Sequence, residues 1–476
     1  MGFCRDKSLK ASRQCHVSAA KLLHIVEVRK DNLEVSRMLL KSLIGSRLRP
    51  IAALFSGNRR SHDDLYVAPD GVSLPSGPVT QKPRKTHKDV GGHAIALSIP
   101  CPDPTAEDRE RDYHQMRGQR LARQEQWSDV ARAIRLADRA LSKTSGGMPV
   151  ADLVGYGARA DVVLACEHAL ISGRPAKDAP IMEGIEALEG VLADSDHDYA
   201  IAAIVAHAHM DIGWAWRGTG WDTEILSQNR AAFEAHFDRA ADILKPFAEM
   251  NPKPAFLCAA ECALRTGNDA TNEKVADAYE TLINLDPMNA RAMRAMGNHL
   301  LPRWFGSYDM LELEARRTAA RTQELWGAGA YVWVQFDAIA YDDVACSRLD
   351  IAFFIDGLHD ILERTQNQYI VNLLAAYCAN TMGNARGGND ESDHVRAQIT
   401  DCAKWIIREH LTELHPMLWA HAARGFDNSL RVRCPDRFAA SGQADALRII
   451  GNTFRHEIAA GLKVIFTEDG PVTEAA

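Results

Sequence analysis

The chain has 476 residues, of which 46% are hydrophobic and 25% are charged, a balance that allows a sizeable buried core. Its formal charge of −8 is uneven: residues 1–100 hold 17 Lys/Arg and 8 Asp/Glu, a net charge of +9, which leaves −17 for residues 101–476. Because binding of phosphates requires compensating cations, the acidic main body excludes nucleic acid as its expected ligand.

The N-terminal part of the chain differs in pattern from the rest. One amphipathic stretch over residues 19–43 is predicted to be helical, but Pro and Gly then recur as far as Gly91-Gly92 and prevent long elements. Residues 1–104 are therefore predicted to be a basic extension that is disordered or loosely packed. The ten cysteines are scattered, and neither an apolar signal peptide nor a transmembrane run is found. These features predict a cytoplasmic protein without a membrane span.

Residues 105–465 are predicted to form one helical domain, followed by a flexible tail over residues 466–476. Val130, Ile134, Ala137 and Leu141 recur at the spacing of a helix face. Further helices are predicted near residues 255–266, 271–284, 289–301, 307–325, 346–363, 367–381, 391–411 and 442–462. Only residues 462–467 and 331–336 show a pattern typical of extended chain. The predicted fold class is all-α.

An internal repeat is the strongest signal in the sequence. Asn251-Pro252 and Asp286-Pro287 lie 35 residues apart, and each follows apolar residues at helical spacing. The small residue Gly297 follows the second proline where two helices are expected to cross. Over residues 240–310 this pattern resembles the tetratricopeptide repeat. The resemblance implies an α-solenoid, a right-handed superhelical array of antiparallel helix hairpins.

The same resemblance implies a binding groove. Arg291, Arg294 and Asn298 occupy groove-lining positions, and Arg294 with Asn298 is similar to the pair with which some family members clamp a terminal carboxylate. The implied function is a non-enzymatic interaction module that binds a peptide or protein partner and needs no cofactor. A solvated polar face is the alternative interpretation of these residues.

A tryptophan cluster offers a second candidate surface for a partner. Trp214, Trp216 and Arg217 lie within four residues, and Trp and Arg are enriched where protein partners bind most tightly. The alternative interpretation is that the two indole rings pack helical layers together around a turn flanked by glycine.

Two other functions remain open. The order His207, His209, Asp211 resembles the metal-binding signature of metallo-β-lactamase-like hydrolases, which implies a metal-dependent hydrolase. However, Ile212 replaces the last His, and in a helix His207 and His209 would lie about 200° apart. Histidines used only for packing or exposed at the surface are the alternative. The remaining hypothesis is a structural subunit that self-associates through its helices.

Overall fold

A computed structural model describes residues 96–475, except for residues 171–173, 177–178, 219–224, 268–271, 305, 388, 427–431 and 433. The predicted disorder of the N-terminal extension falls almost wholly outside this range. Among the described residues, none of the helices is both long and apolar enough to span a membrane.

The described chain is mostly helical, in agreement with the predicted all-α class. The helices are α1 (Ala106–Arg123), α2 (Trp127–Arg139), α3 (Val150–Ala169), α4 (Glu183–Ala193), α5 (Tyr199–Arg217), α6 (Ser227–Leu244), α7 (Ala255–Arg265), α8 (Asn272–Leu285), α9 (Ala290–His299), α10 (Tyr308–Arg321), α11 (Gln323–Trp326), α12 (Gly329–Tyr341), α13 (Asp343–Ser347), α14 (Ile351–Arg364), α15 (Gln368–Ala376), α16 (Met382–Asn384), α17 (Asp390–Glu409), α18 (Pro416–Ala422), α19 (Pro435–Thr453) and α20 (Arg455–Ala459). A short 3-10 turn (Lys245–Phe247) follows α6, and a π-helical turn (Tyr377–Thr381) joins α15 to α16.

Local side-chain chemistry fixes where several of these helices begin. Thr105 precedes α1, and its side chain accepts a hydrogen bond from the Asp108 N–H at 3.1 Å. The Asp108 carboxylate in turn accepts one from the Thr105 N–H, which completes a capping box. Asn389 caps α17 in a similar way by accepting from the Glu391 N–H at 2.8 Å.

Helices that follow one another pack in pairs, and the first helices of neighbouring pairs also touch. The contacts within pairs include α5 with α6, α7 with α8 and α18 with α19. The contacts between pairs include α1 with α3, α3 with α5, α5 with α7, α9 with α12, and α15 with α18. These contacts form three runs, one from α1 through α3 and α5 to α7, one from α9 to α12, and one from α15 to α18.

Glycine allows the closest of these approaches. A Cβ added at Gly297 in α9 would lie 1.8 Å from the carbonyl oxygen of Val334 in α12. Gly118 in α1 and Gly157 in α3 sit equally close to each other's helix backbone. Gly297 therefore lies at a helix crossing, but the helix that it meets is the next first helix, α12, and not its own pair member α10.

The apolar interior divides into two clusters that meet at α7. Phe256, Leu257 and Ala260 of α7 join the N-terminal cluster, which extends from α2 to α7. Cys258 and Cys262, on another face of the same helix, join the C-terminal cluster, which extends to the sheet described next. Because both cores share one helix, the described chain packs as a continuous body.

The C-terminal residues form a small sheet, which corrects two of the predicted boundaries. The order is β1 (Leu97–Ser98), β2 (Leu462–Thr467) and β3 (Gly470–Ala475), with β2 parallel to β1 and antiparallel to β3. The predicted tail over residues 466–476 is therefore wrong, because β3 completes a backbone ladder with β2. The N-terminal boundary at 104 is also too late, since Leu97 is buried in the C-terminal core.

One predicted extended segment is wrong in type. Residues 331–336 lie inside α12, whose residues from Gly329 to Phe336 are all buried. A helix that is buried on every side carries a continuous apolar run, and such a run cannot be distinguished from a buried strand by its periodicity. The other segment predicted to be extended, residues 462–467, is strand β2.

Candidate binding cleft

Arg291, Arg294 and Asn298 lie on one face of helix α9, from which Arg291 reaches toward α3 and Arg294 toward α12. All three residues are half-buried, in contrast to Met293 and Met296 on the core face of the same helix. Arg291 faces Asp152 of α3 and Arg294 pairs with Asp337 of α12, and this set of side chains, with Asn298, is called here the charged cleft. The predicted groove residues thus do share one face.

Arg294 is fixed by Asp337, a residue that the sequence analysis did not single out. Its Nε and Nη2 donate hydrogen bonds to the two carboxylate oxygens of Asp337 at 2.9 and 2.8 Å, and its guanidinium lies 4.4 Å from the ring centroid of Phe336. Burial opposes the charge on Arg294, but the attraction of Asp337 raises the pKa of Arg294 above its ordinary value. This arginine is therefore charged and held in one orientation.

Asn298 is also engaged within the protein. Its side-chain oxygen accepts a hydrogen bond from Nη2 of Arg303 at 2.7 Å, and the Arg303 guanidinium lies 5.5 Å from the ring centroid of Tyr341. The two residues that resemble a carboxylate clamp, Arg294 and Asn298, are thus each bonded to a different internal partner. In this structure they do not form a shared, open clamp.

Arg291 faces Asp152 across the cleft, with Nη1 and Oδ2 separated by 3.9 Å. Burial raises the pKa of Asp152 to about 6, although Arg291 and Arg159 oppose this shift. Burial likewise lowers the pKa of Arg291 to about 10, although Asp152 opposes that shift. Both shifts have the same physical cause, because the charged form of each group loses water on this side of the cleft.

Residues far apart in the chain hold the loop between α2 and α3. The carboxylate of Glu107 in α1 accepts hydrogen bonds from Thr144 Oγ1 at 2.9 Å and from the Gly146 N–H at 2.6 Å. The Ser145 carbonyl oxygen accepts one from Nδ2 of Asn367 at 2.7 Å. The loop between α2 and α3 is thereby tied both to α1 and to the start of α15.

The tryptophan cluster contributes mainly to packing. Trp216 is 6% exposed and belongs to the N-terminal core. Trp214 is half-buried and packs edge-to-face against Phe233, with ring centroids 4.9 Å apart. The Arg217 guanidinium lies 5.6 Å from the Trp214 ring centroid. Of these predicted partner-binding residues, only Trp214 and Arg217 retain partial exposure.

The three residues of the hydrolase hypothesis lie on helix α5 and contact different partners. His209 Nε2 lies 2.9 Å from a carboxylate oxygen of Glu189, and its Nδ1 lies 2.9 Å from Nδ1 of His236. Asp211 accepts a hydrogen bond from Nε of Arg159 at 2.7 Å. Burial, followed by the charge of Arg159, lowers the pKa of His207 well below its ordinary value.

His209 thus lies against Glu189 and His236, whereas Asp211 is paired with Arg159. Within the described part of the chain, no group of three His, Cys, Asp or Glu side chains could hold a metal ion.

Sequence reasoning missed the residues that complete the cleft. Asp337 could have been found, because it and Gln335 are the only strongly polar side chains between Gly329 and Tyr341. The contact of Glu107 with Gly146 carried no signal, because the two residues lie 39 positions apart and meet only through the tertiary packing.

Comparison of this chain with family models, with curated proteins and with solved structures finds no match. The functional assignment consequently depends on the geometry and the charge of the cleft itself.

Proposed function

We propose that this protein is a non-enzymatic helical-repeat protein whose charged cleft binds an extended segment of a protein partner. The contacts of α1 with α3, α3 with α5, α5 with α7 and α9 with α12, with glycine at the crossings of α1 with α3 and of α9 with α12, support a tetratricopeptide-like solenoid. The described cysteines are all free, which fits the reducing cytoplasm.

The orientation of Arg294 and Asn298 carries this proposal. Arg294 is fixed by Asp337 and Phe336, and Asn298 is fixed by Arg303, yet both residues remain partly exposed. Side chains that are already ordered lose little conformational entropy when a ligand binds, so such a surface favours association. These ordered, partly exposed side chains support a binding role for this face, although they do not form the open clamp that the resemblance implies.

Site-specific photo-crosslinking tests the proposal. A benzophenone amino acid replaces Asn298 in the cleft or, as the control, Leu313, which is 45% exposed on α10. After irradiation in cells, we expect a defined partner protein joined to the Asn298 position and not to the Leu313 position. Equal crosslinking at both positions, or none at Asn298, would contradict the proposal.

The same experiment separates the two alternatives. A crosslink from position 298 to a second copy of the chain, together with a dimeric mass in solution, would favour a self-associating structural subunit. The hydrolase hypothesis requires His207, His209 and Asp211 to act together, whereas they contact different partners. Stoichiometric zinc in the purified protein would favour that hypothesis instead.

A further inference from the structure

A small cavity adjoins the charged cleft where α2 and α3 meet α7, α8 and the start of α9. Its volume is about 20 Å³, which is enough for one group of the size of a water molecule. Leu141, which is 39% exposed, forms part of its wall, so the cavity opens at the surface. Asp152 belongs both to this cavity and to the charged cleft. The other polar residues of the described lining are Asp138, Ser142, Asp286 and Asn289.

Two of the three carboxylates in this lining are satisfied within the protein. Asp138 Oδ1 accepts a hydrogen bond from the Phe256 N–H at 2.8 Å, and its Oδ2 accepts one from the Tyr199 hydroxyl at 3.1 Å. Asp286 forms an ion pair with Lys143, and both side chains of this pair are largely buried. These two carboxylates therefore do not require a ligand.

Asp152 is the exception among the three carboxylates. Within the described part of the chain it accepts no hydrogen bond, and its ion pair with Arg291 is 3.9 Å long. A carboxylate that is held away from water without a hydrogen-bond donor is destabilised in its charged form, and burial accordingly raises the pKa of Asp152 to about 6. A hydrogen-bond donor with a positive charge that entered the cavity would offset this loss.

The same cavity contains a donor that is not used by the fold. Asn289 is 6% exposed, and its side-chain oxygen accepts a hydrogen bond from the Ala292 N–H at 3.3 Å, which caps α9. Its Nδ2 donates to none of the described residues. Because a buried amide without an acceptor costs free energy, this group is available to a carbonyl oxygen of a ligand.

The rest of the wall is apolar, and this favours one kind of cation. Leu141, Phe256, Ala259 and Leu282 lie around the polar groups. A lysine side chain combines an apolar four-carbon stem with a compact ammonium group that donates three hydrogen bonds. The ammonium is about the size of a water molecule, whereas the planar guanidinium of arginine is larger than the cavity.

We propose that this cavity binds the side-chain ammonium of a lysine in the segment that occupies the charged cleft, an inference that rests on the proposed function. The ammonium donates to the carboxylate of Asp152, and the lysine stem packs against Leu141 and Leu282. Asn289 Nδ2 donates to a backbone carbonyl oxygen of the segment. The small volume of the cavity selects lysine over arginine.

Fluorescence anisotropy on the full chain tests this site with labelled hexalysine and hexaarginine. The two peptides carry the same charge, and the N-terminal label blocks the α-amine, so the side chains alone differ. Asp152→Asn removes the negative charge, and the matched control is Asp309→Asn, whose side chain is 91% exposed on α10. Ala259→Leu is a second variant, which fills the cavity without a change of charge. Circular dichroism verifies the helix content of each variant.

We expect the wild type to bind hexalysine more tightly than hexaarginine. Asp152→Asn and Ala259→Leu should each weaken hexalysine binding by roughly tenfold or more, because a charge-assisted hydrogen bond or the space for the ammonium is lost. Asp309→Asn should bind both peptides like the wild type. Equal binding of the two peptides by the wild type, or undiminished binding of hexalysine by Asp152→Asn, would overturn the lysine site.

The proposed function is tested separately, by photo-crosslinking from position 298. If the wild type captures no partner there and yet distinguishes hexalysine through Asp152, the proposed function is wrong and the lysine site is retained. If Asp152→Asn captures the same partner as the wild type with undiminished yield, the cleft binds a segment and the lysine site is wrong.

Discussion

Gly297→Ala is expected to destabilise the protein, even though alanine is the better helix former. The added methyl group would lie 1.8 Å from the Val334 carbonyl oxygen, well inside the 3.4 Å at which ordinary contact begins. Because the obstructing atom belongs to the backbone, α9 and α12 must move apart for the methyl group to fit. Overpacking of this kind costs up to about 3 kcal/mol, and the gain in helix propensity offsets about 1 kcal/mol. The expected net loss is therefore about 2 kcal/mol.

Gly190→Ala is the matched control. Gly190 lies in the exposed part of α4, and a Cβ added there meets no atom within 4 Å. The same substitution should therefore stabilise the protein by about 0.5–1 kcal/mol through helix propensity alone. Urea denaturation followed by circular dichroism gives both free energies of unfolding. If Gly297→Ala were neutral or as stabilising as Gly190→Ala, α9 and α12 would not cross at this residue.

Two further predictions concern Trp216 in the N-terminal core and the carboxylate of Glu189, which lies beside His209. Trp216→Ala should lower the free energy of unfolding by about 3–5 kcal/mol because the ring is buried, whereas Leu136→Ala, at a 60% exposed position, should change it by less than about 0.5 kcal/mol. Similar losses in urea denaturation for both variants would contradict this. The hydrogen bond from His209 lowers the pKa of Glu189 from 4.5 to about 2; burial opposes this shift and Arg239 adds to it. This carboxylate therefore stabilises the fold above pH 4.5, and its contribution disappears as the pH falls toward 2. Glu189→Gln should therefore destabilise the protein by about 1–3 kcal/mol at pH 7 and by progressively less below pH 4.5 in denaturation curves, and a difference independent of pH would contradict the assignment.

The sequence by itself determined most of the local structure. Predicted helices at residues 255–266 and 289–301 correspond to Ala255–Arg265 and Ala290–His299, and the extended pattern at residues 462–467 corresponds to β2. Apolar spacing and capping side chains act within a few residues, since a helical backbone hydrogen bond joins positions four apart. The shared face of Arg291, Arg294 and Asn298 follows from the same periodicity and was predicted for that reason.

Only the tertiary structure decided what those groove residues contact. Arg294 is paired with Asp337, 43 residues later in the chain, and the buried Glu107 binds Gly146, 39 residues later. The tertiary packing also decides that the apolar run at residues 331–336 forms a buried helix and that the predicted tail forms strand β3. These outcomes depend on how many helices pack at once, and a local pattern does not encode which distant side chain will supply the partner of a given charge. The packing of α9 against α12 therefore decides that Arg294 is paired with Asp337.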